Sequence, residues 1–297
     1  MATRLSPFLL ALLALAPAPA RAGGGLTLTG GDCASLEARA GALAAWAGEL
    51  GEKPGAPGFC GCYGDACSMD VSAAAPAFVA RMHGVKAGRW GPNCWNAALV
   101  AGKLLAEPRF ASPEEMTFWT ASPACRALSA GEEPLPGDII AIREASGEEV
   151  HGFVYLTPDL SFSKNYLTAA APYLLQPPAA VYAEFPVEEA CRLPGAPAGC
   201  ARRSDYFRCR AAAVPPPPAD PDYAAAVAAV DGAEKALSAL VLRWKTDPEL
   251  RAKAPEILAA AEKALRPARD LALGRGGFHW RALRLRADSL LHQISLI

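Results

Sequence analysis

The chain has 297 residues, with 29 Lys and Arg against 30 Asp and Glu, 27 Pro, 26 Gly and nine Cys. So even a charge balance excludes the basic footprint of a nucleic-acid binder. Past the N-terminus no stretch is long and apolar enough to span a bilayer, and much of the apolar fraction is alanine, so the mean hydropathy overstates the core.

Residues 1–22 read as a cleavable signal peptide. Arg4 gives a basic start, Phe8 to Leu15 an apolar run too short for a membrane span, and Pro17 and Pro19 break any helix. Ala20-Arg21-Ala22 sets small residues where a signal peptidase reads, so the cut is expected after Ala22. The mature chain is then secreted, periplasmic or otherwise in the cell envelope, where cysteines oxidise.

The cysteines are Cys33, Cys60, Cys62, Cys67, Cys94, Cys125, Cys191, Cys200 and Cys209. An odd number in an exported protein leaves a free thiol or an intermolecular bond. Cys60, Cys62 and Cys67 have the sulfur count of a zinc site. No histidine follows at ligand spacing, so disulfides are the preferred reading and no metal or organic cofactor is implied.

In chain order, Asp32 caps a predicted helix over 32–51, with Leu36, Leu43, Trp46 and Leu50 at helical spacing. Residues 52–72 are rich in Gly, Pro and Cys and read as a stapled loop. Short helices are expected over 73–83, over 92–106 with Pro92 in the first turn, over 113–119 with Ser112 as cap, and from Ser122-Pro123. The period then changes: 139–142, 150–156, 160–163 and 180–185 read as strands. Helices followed by an antiparallel sheet make an α+β class. The prolines of 214–221 form an extended linker, and 222–297 divides into helices near 222–246, 248–273 and 278–294, a helical bundle or hairpin. The expected organisation is a cysteine-rich helical segment over 23–84, an α+β core over 85–213, the linker, and the helical part.

Three segments carry the chemistry. Gly91-Pro92-Asn93-Cys94-Trp95-Asn96 puts a cysteine at a helix start, where free N–H groups and the macrodipole favour a thiolate. Pro136-Gly137-Asp138 delivers the chain into a buried strand. Val150-His151-Gly152-Phe153-Val154-Tyr155 puts a histidine at the start of an apolar strand. Of the four histidines, His279 and His292 lie in the helical tail and His83 at a helix end, so His151 is the natural partner of Cys94. A polar residue on the following strand, Asn165 or alternatively Ser163, would fix its tautomer.

This order of motifs, over about residues 85 to 185, resembles the papain-like cysteine peptidases of the NlpC type, bacterial cell-wall hydrolases that cut peptide bonds in the peptidoglycan stem. The resemblance implies a papain-like core, with Cys94 as nucleophile, His151 as base and Asn165 or Ser163 as the orienting residue. It also implies the Cys94 N–H as an oxyanion donor, with Asn93 offered as a second. The chain has Asn-Cys-Trp-Asn where that family usually has Asp-Cys-Ser-Gly, and His-Gly-Phe-Val-Tyr where it usually has His-Val-Gly-x-Tyr. The implied function is a thiol peptidase or amidase acting on cell-wall peptides. An acyl- or peptidyl-transferase using the same cysteine, and a non-catalytic disulfide-stapled envelope module, are the alternatives.

Overall fold

The structure, a computed structural model, describes residues 25–167, 170–209 and 213–297. The signal-peptide reading of 1–22 lies outside the described residues. Asp32 opens the first helix by accepting from the Ser35 N–H at 2.7 Å. Helix α1 (Cys33–Glu49) buries Leu36, Ala40, Leu43 and Trp46 along one stripe. It packs on a small antiparallel sheet of β1 (Thr27–Gly30), β2 (Gly61–Tyr63) and β3 (Ala66–Asp70), ordered β1-β3-β2. Part of the expected loop over 52–72 is thus a hairpin. Disulfides Cys33–Cys60 and Cys62–Cys67 staple it, and Cys62 faces Cys67 in register. The sulfurs of Cys33 and Cys62, from different disulfides, lie 3.5 Å apart.

Helix α2 (Ala77–Met82) leads to α3 (Cys94–Ala101) and α4 (Pro113–Thr120). Helix α3 is shorter than the spacing predicts. Pro92, expected in its first turn, lies outside it. Asn93 is the N-cap, and Gly102 followed by Lys103 at φ 56° ends the helix. The helix expected from Ser122 is absent. The Ser122 hydroxyl accepts the Ala124 N–H and donates to the Trp119 carbonyl, a side-chain turn that feeds strand β4 (Cys125–Ala127) instead.

The main sheet follows: β5 (Ile139–Glu144), β6 (Glu149–Thr157), β7 (Leu160–Lys164), β8 (Tyr173–Gln176) and β9 (Arg202–Cys209) join β4 in the order β4-β9-β5-β6-β7-β8. All neighbours are antiparallel. The turn into β5 requires Gly137, whose φ is 94° and where a Cβ would stand 2.4 Å from Trp46 Cδ1. Residues 180–185, expected as a strand, lie mostly in helix α5 (Pro178–Glu184), with Pro178 in its first turn. Alternation divides the sheet's two faces. Ile139, Ala141, Val154, Leu156 and Phe162 share one core with α1 and α3. Ile140, Ile142, Phe153 and Tyr206 share the other with Val181 and Tyr182 of α5. Cys125–Cys209 bridges β4 to β9, Cys191–Cys200 closes the stretch before β9, and Cys94 is the free cysteine.

The C-terminal part is helical: α6 (Pro221–Arg243), α7 (Pro248–Ala252), α8 (Ala254–Leu273) and α9 (Phe278–Leu296). Val230, Leu237, Leu265, Leu283 and Leu290 fill its core, and Ala233, Ala261, Ala268 and Ala287 let α6, α8 and α9 approach closely. Buried polar contacts tie it to the α+β part. Arg109 pairs with Glu115 of α4 and Glu234 of α6, Arg286 of α9 also holds Glu234, and the Ser289 hydroxyl donates to Glu115. The fold is therefore mixed α+β, with two antiparallel sheets and a C-terminal helical part. No helix among the described residues is long and apolar enough to cross a membrane.

Candidate active site

The site is built at the start of α3. The Asn93 side chain caps the helix: its Oδ1 accepts from the N–H groups of Asn96 and Ala111, both at 3.2 Å. Its Nδ2 donates to the Ala111 carbonyl at 2.7 Å. Asn96 donates to the Glu107 carbonyl and accepts from the Arg109 N–H. The two asparagines flanking Cys94-Trp95 thus clamp residues 107–111 against the helix start. Asn93, expected as an oxyanion donor, spends its amide group on this clamp.

Cys94 is buried, and the backbone N–H groups of Cys94 itself, Trp95 and Gly152 act to favour its thiolate. The third follows from the strand. Tyr155 exchanges hydrogen bonds with Asp138 and Gly137 on the β5 side, so by alternation Gly152 turns its N–H toward β7. The β6–β7 ladder runs from Thr157↔Leu160 to Val154↔Phe162. Past that pair, the Gly152 N–H is free of the ladder and favours the Cys94 thiolate. A Cβ at Gly152 would stand 3.3 Å from Trp95 Cδ1 and 3.2 Å from Met116 Cε, so glycine lets α3 come this close.

Burial pushes the Cys94 thiol up to about 11, against the opposing pull of the three N–H groups and of Lys164. Lys164, at the end of β7, is itself fully buried. Burial brings its ammonium down to about 8, with Cys94 acting in the opposite direction. Its Nζ donates to the Tyr166 carbonyl at 2.5 Å and stands 6.0 Å from the Tyr173 ring centre.

The structure does not bring His151 to Cys94. Ile142 pairs with His151 and Ala141 with Gly152. Gly152 faces α3, so the imidazole points to the opposite side of the sheet, with Phe153 beside it. There it stacks on Phe185, ring centres 3.9 Å apart and planes inclined by 12°. Neither ring nitrogen has a hydrogen-bond partner among the described residues, and burial lowers the pKa to about 3. Asn165 and Ser163 do not orient it either. Ser163 Oγ donates to Asn165 Oδ1 at 2.7 Å, Gln176 Nε2 donates to both, and Asn165 Nδ2 donates to Glu184. The expected triad is therefore divided between the two faces. Lys164, whose charge favours the thiolate, and the Gly152 N–H, which acts in the same direction, are what sequence reasoning missed. The signal for the latter was the glycine itself, one residue after the histidine.

Among the described residues, the grouping with metal-ligand spacing is Cys33, Cys62 and Cys67, whose sulfurs lie within 4.8 Å of one another. Each is bonded in a disulfide and offers no thiolate. No family model, no curated protein and no solved structure matches the chain.

Proposed function

We propose that the chain is an exported thiol hydrolase, a peptidase or amidase, with Cys94 as nucleophile and cell-wall peptides as the substrate class. The observation that carries this reading is the one cysteine left out of the disulfides, buried in the first turn of α3, where the backbone N–H groups of Cys94, Trp95 and Gly152 favour a thiolate. Such donors favour the thiolate, and after attack the same groups lie near the carbonyl oxygen as it becomes negative. The four disulfides support an oxidising compartment. The order of motifs supports the likeness to NlpC-type papain-like peptidases, and the substrate class rests on that likeness.

The thiolate of Cys94 adds to the amide carbonyl carbon. The tetrahedral species collapses to a thioester as the amine leaves with a proton, and water then hydrolyses the thioester. Cys94→Ala is expected to lower the release of free amine from peptidoglycan stem peptides by at least about a thousand-fold, with the melting temperature retained. The assay is mass spectrometry of the digested peptides. Undiminished cleavage by the variant would overturn the reading.

One observation favours a second reading, a non-catalytic envelope module: the imidazole lies on the far face of the sheet from the thiol. That reading expects stem peptides to bind equally to the unmodified chain and to Cys94→Ala, with no turnover by either.

A further inference from the structure

The N-terminal hairpin gathers four cysteines at one point. Cys33 Sγ and Cys62 Sγ, which belong to different disulfides, lie 3.5 Å apart, and the sulfurs of Cys33, Cys62 and Cys67 fall within 4.8 Å of one another. Cys60 is bonded to Cys33 and completes the group. Four thiolates on a tetrahedral zinc ion, each about 2.3 Å from the metal, stand about 3.8 Å apart. The sulfurs of Cys33, Cys62 and Cys67 are therefore already held near the spacing that such an ion requires. Cys33 is also the first residue of the 17-residue helix α1, where free N–H groups favour a thiolate.

The hairpin depends on these sulfurs. Every residue of β2 is exposed, and Phe59 and Tyr63, on either side of Cys60-Gly61-Cys62, are each 94% exposed. Strand β2 pairs with β3 but buries no apolar side chain, so the Cys33–Cys60 bond is what ties its start to α1. With the disulfides opened, that tie is lost unless another bond replaces it. We propose that the reduced hairpin is a zinc site with Cys33, Cys60, Cys62 and Cys67 as its four ligands. This goes beyond the thiol-hydrolase reading and uses none of its residues. Four sulfurs leave no open position for water on the ion, so its role is structural. Among the described residues no other His, Cys, Asp or Glu grouping gathers in this way.

The disulfide-bonded and the zinc-bound hairpin are alternative states, and their exchange balances. Two dithiol molecules give four electrons and four protons to Cys33–Cys60 and Cys62–Cys67, and each dithiol closes to its own disulfide. Zinc then displaces the four protons from the thiols. In the reverse direction a disulfide oxidant takes the electrons, the two bonds re-form and the ion leaves.

The test uses the full chain, reduced with a water-soluble phosphine and titrated with cobalt(II) and then with zinc. The reduced chain is expected to bind one cobalt with the visible absorption of a tetrahedral thiolate site, and zinc is expected to displace it. The disulfide-bonded chain is expected to bind neither. Zinc is expected to slow iodoacetamide labelling of Cys33, Cys60, Cys62 and Cys67 roughly a hundred-fold, and to leave Cys125, Cys191, Cys200 and Cys209 as reactive as before. Cys33→Ser and Cys62→Ser are each expected to weaken zinc binding at least about ten-fold. Should the reduced chain lose its fold, zinc is expected to restore helical circular dichroism, since binding and folding are then coupled. A reduced chain that takes up no cobalt and stays unaltered by zinc, protection that falls on the other cysteines, or equal binding by the disulfide-bonded chain would overturn the assignment.

Discussion

Replacing Arg109 with methionine is expected to lower the stability of the whole chain by about 3–5 kcal/mol. The guanidinium is fully buried and donates to Glu115 at 2.6 and 2.8 Å and to Glu234 at 2.7 Å. Burial works against the Glu234 carboxylate, and Arg109 with Arg286 overcomes it and holds the pKa below the usual carboxylate range. Without Arg109, Glu234 keeps Arg286, but Glu115 keeps only the Ser289 hydroxyl. The variant therefore leaves a carboxylate in the interior with no cation beside it. Adding Glu115→Gln to Arg109→Met should recover part of the loss, because the uncompensated charge is then gone. Urea unfolding of the two variants and the parent measures this. A loss below about 1 kcal/mol for Arg109→Met would mean that water reaches the cluster and replaces the guanidinium.

The second large effect is a dependence on pH with one residue as its main source. His151 is buried as a neutral ring, and its pKa falls from 6.5 in the unfolded chain to about 3 in the folded one. Between those values the unfolded chain binds the proton that the folded chain refuses. Stability from this group is thus complete above pH 6.5 and is lost as the pH falls toward 3. Each unit costs up to about 1.4 kcal/mol, so lowering the pH from 7 to 4.5 should cost about 2–3 kcal/mol. His83, also lowered by burial, acts in the same direction. His151→Phe should remove the larger share of this slope and leave stability at pH 7 equal or better, since the ring stacks on Phe185 and makes no hydrogen bond to the described residues. Equal slopes in parent and variant would show that the ring reaches solvent when charged.

Both effects arise where the sequence was hardest to read. The amphipathic stripe of α1, with its Asp32 cap, was legible because cap and spacing agree. Strands β5, β6 and β7 were legible as short apolar runs between turn residues. Strand β9 was not: Arg202, Arg203, Asp205 and Arg208 give it the composition of a loop, and the ion pairs of Arg202 with Glu144, Asp205 with Arg143 and Arg208 with Asp138 become visible only once β9 lies beside β5. Residues 180–185 suit either period, and Pro178 at the helix start decides for α5. At the candidate site, Cys94 at a helix start and outside the disulfides was readable from the residues. The side on which His151 points was not, because a strand shows its faces only after something packs on one of them. Here Gly152 receives α3, and the residue before it must face away.

The sulfurs of the N-terminal hairpin bear on how the chain behaves when handled. Cys62 Sγ sits 3.5 Å from Cys33 Sγ, within reach of attack on a bond it does not share. Cys67→Ser would leave Cys62 as a thiol at that spot, and its thiolate can displace Cys60 from Cys33. The expected product is two isomers, one with Cys33–Cys60 and one with Cys33–Cys62, of identical mass and thiol count. Intact-mass measurement will therefore report a homogeneous protein, while a peptide map of the unreduced, alkylated chain should find label on both Cys60 and Cys62. Preparations intended for thiol chemistry at Cys94 should accordingly be mapped at this hairpin first, since a label that strays there would be mistaken for reactivity of the buried thiol.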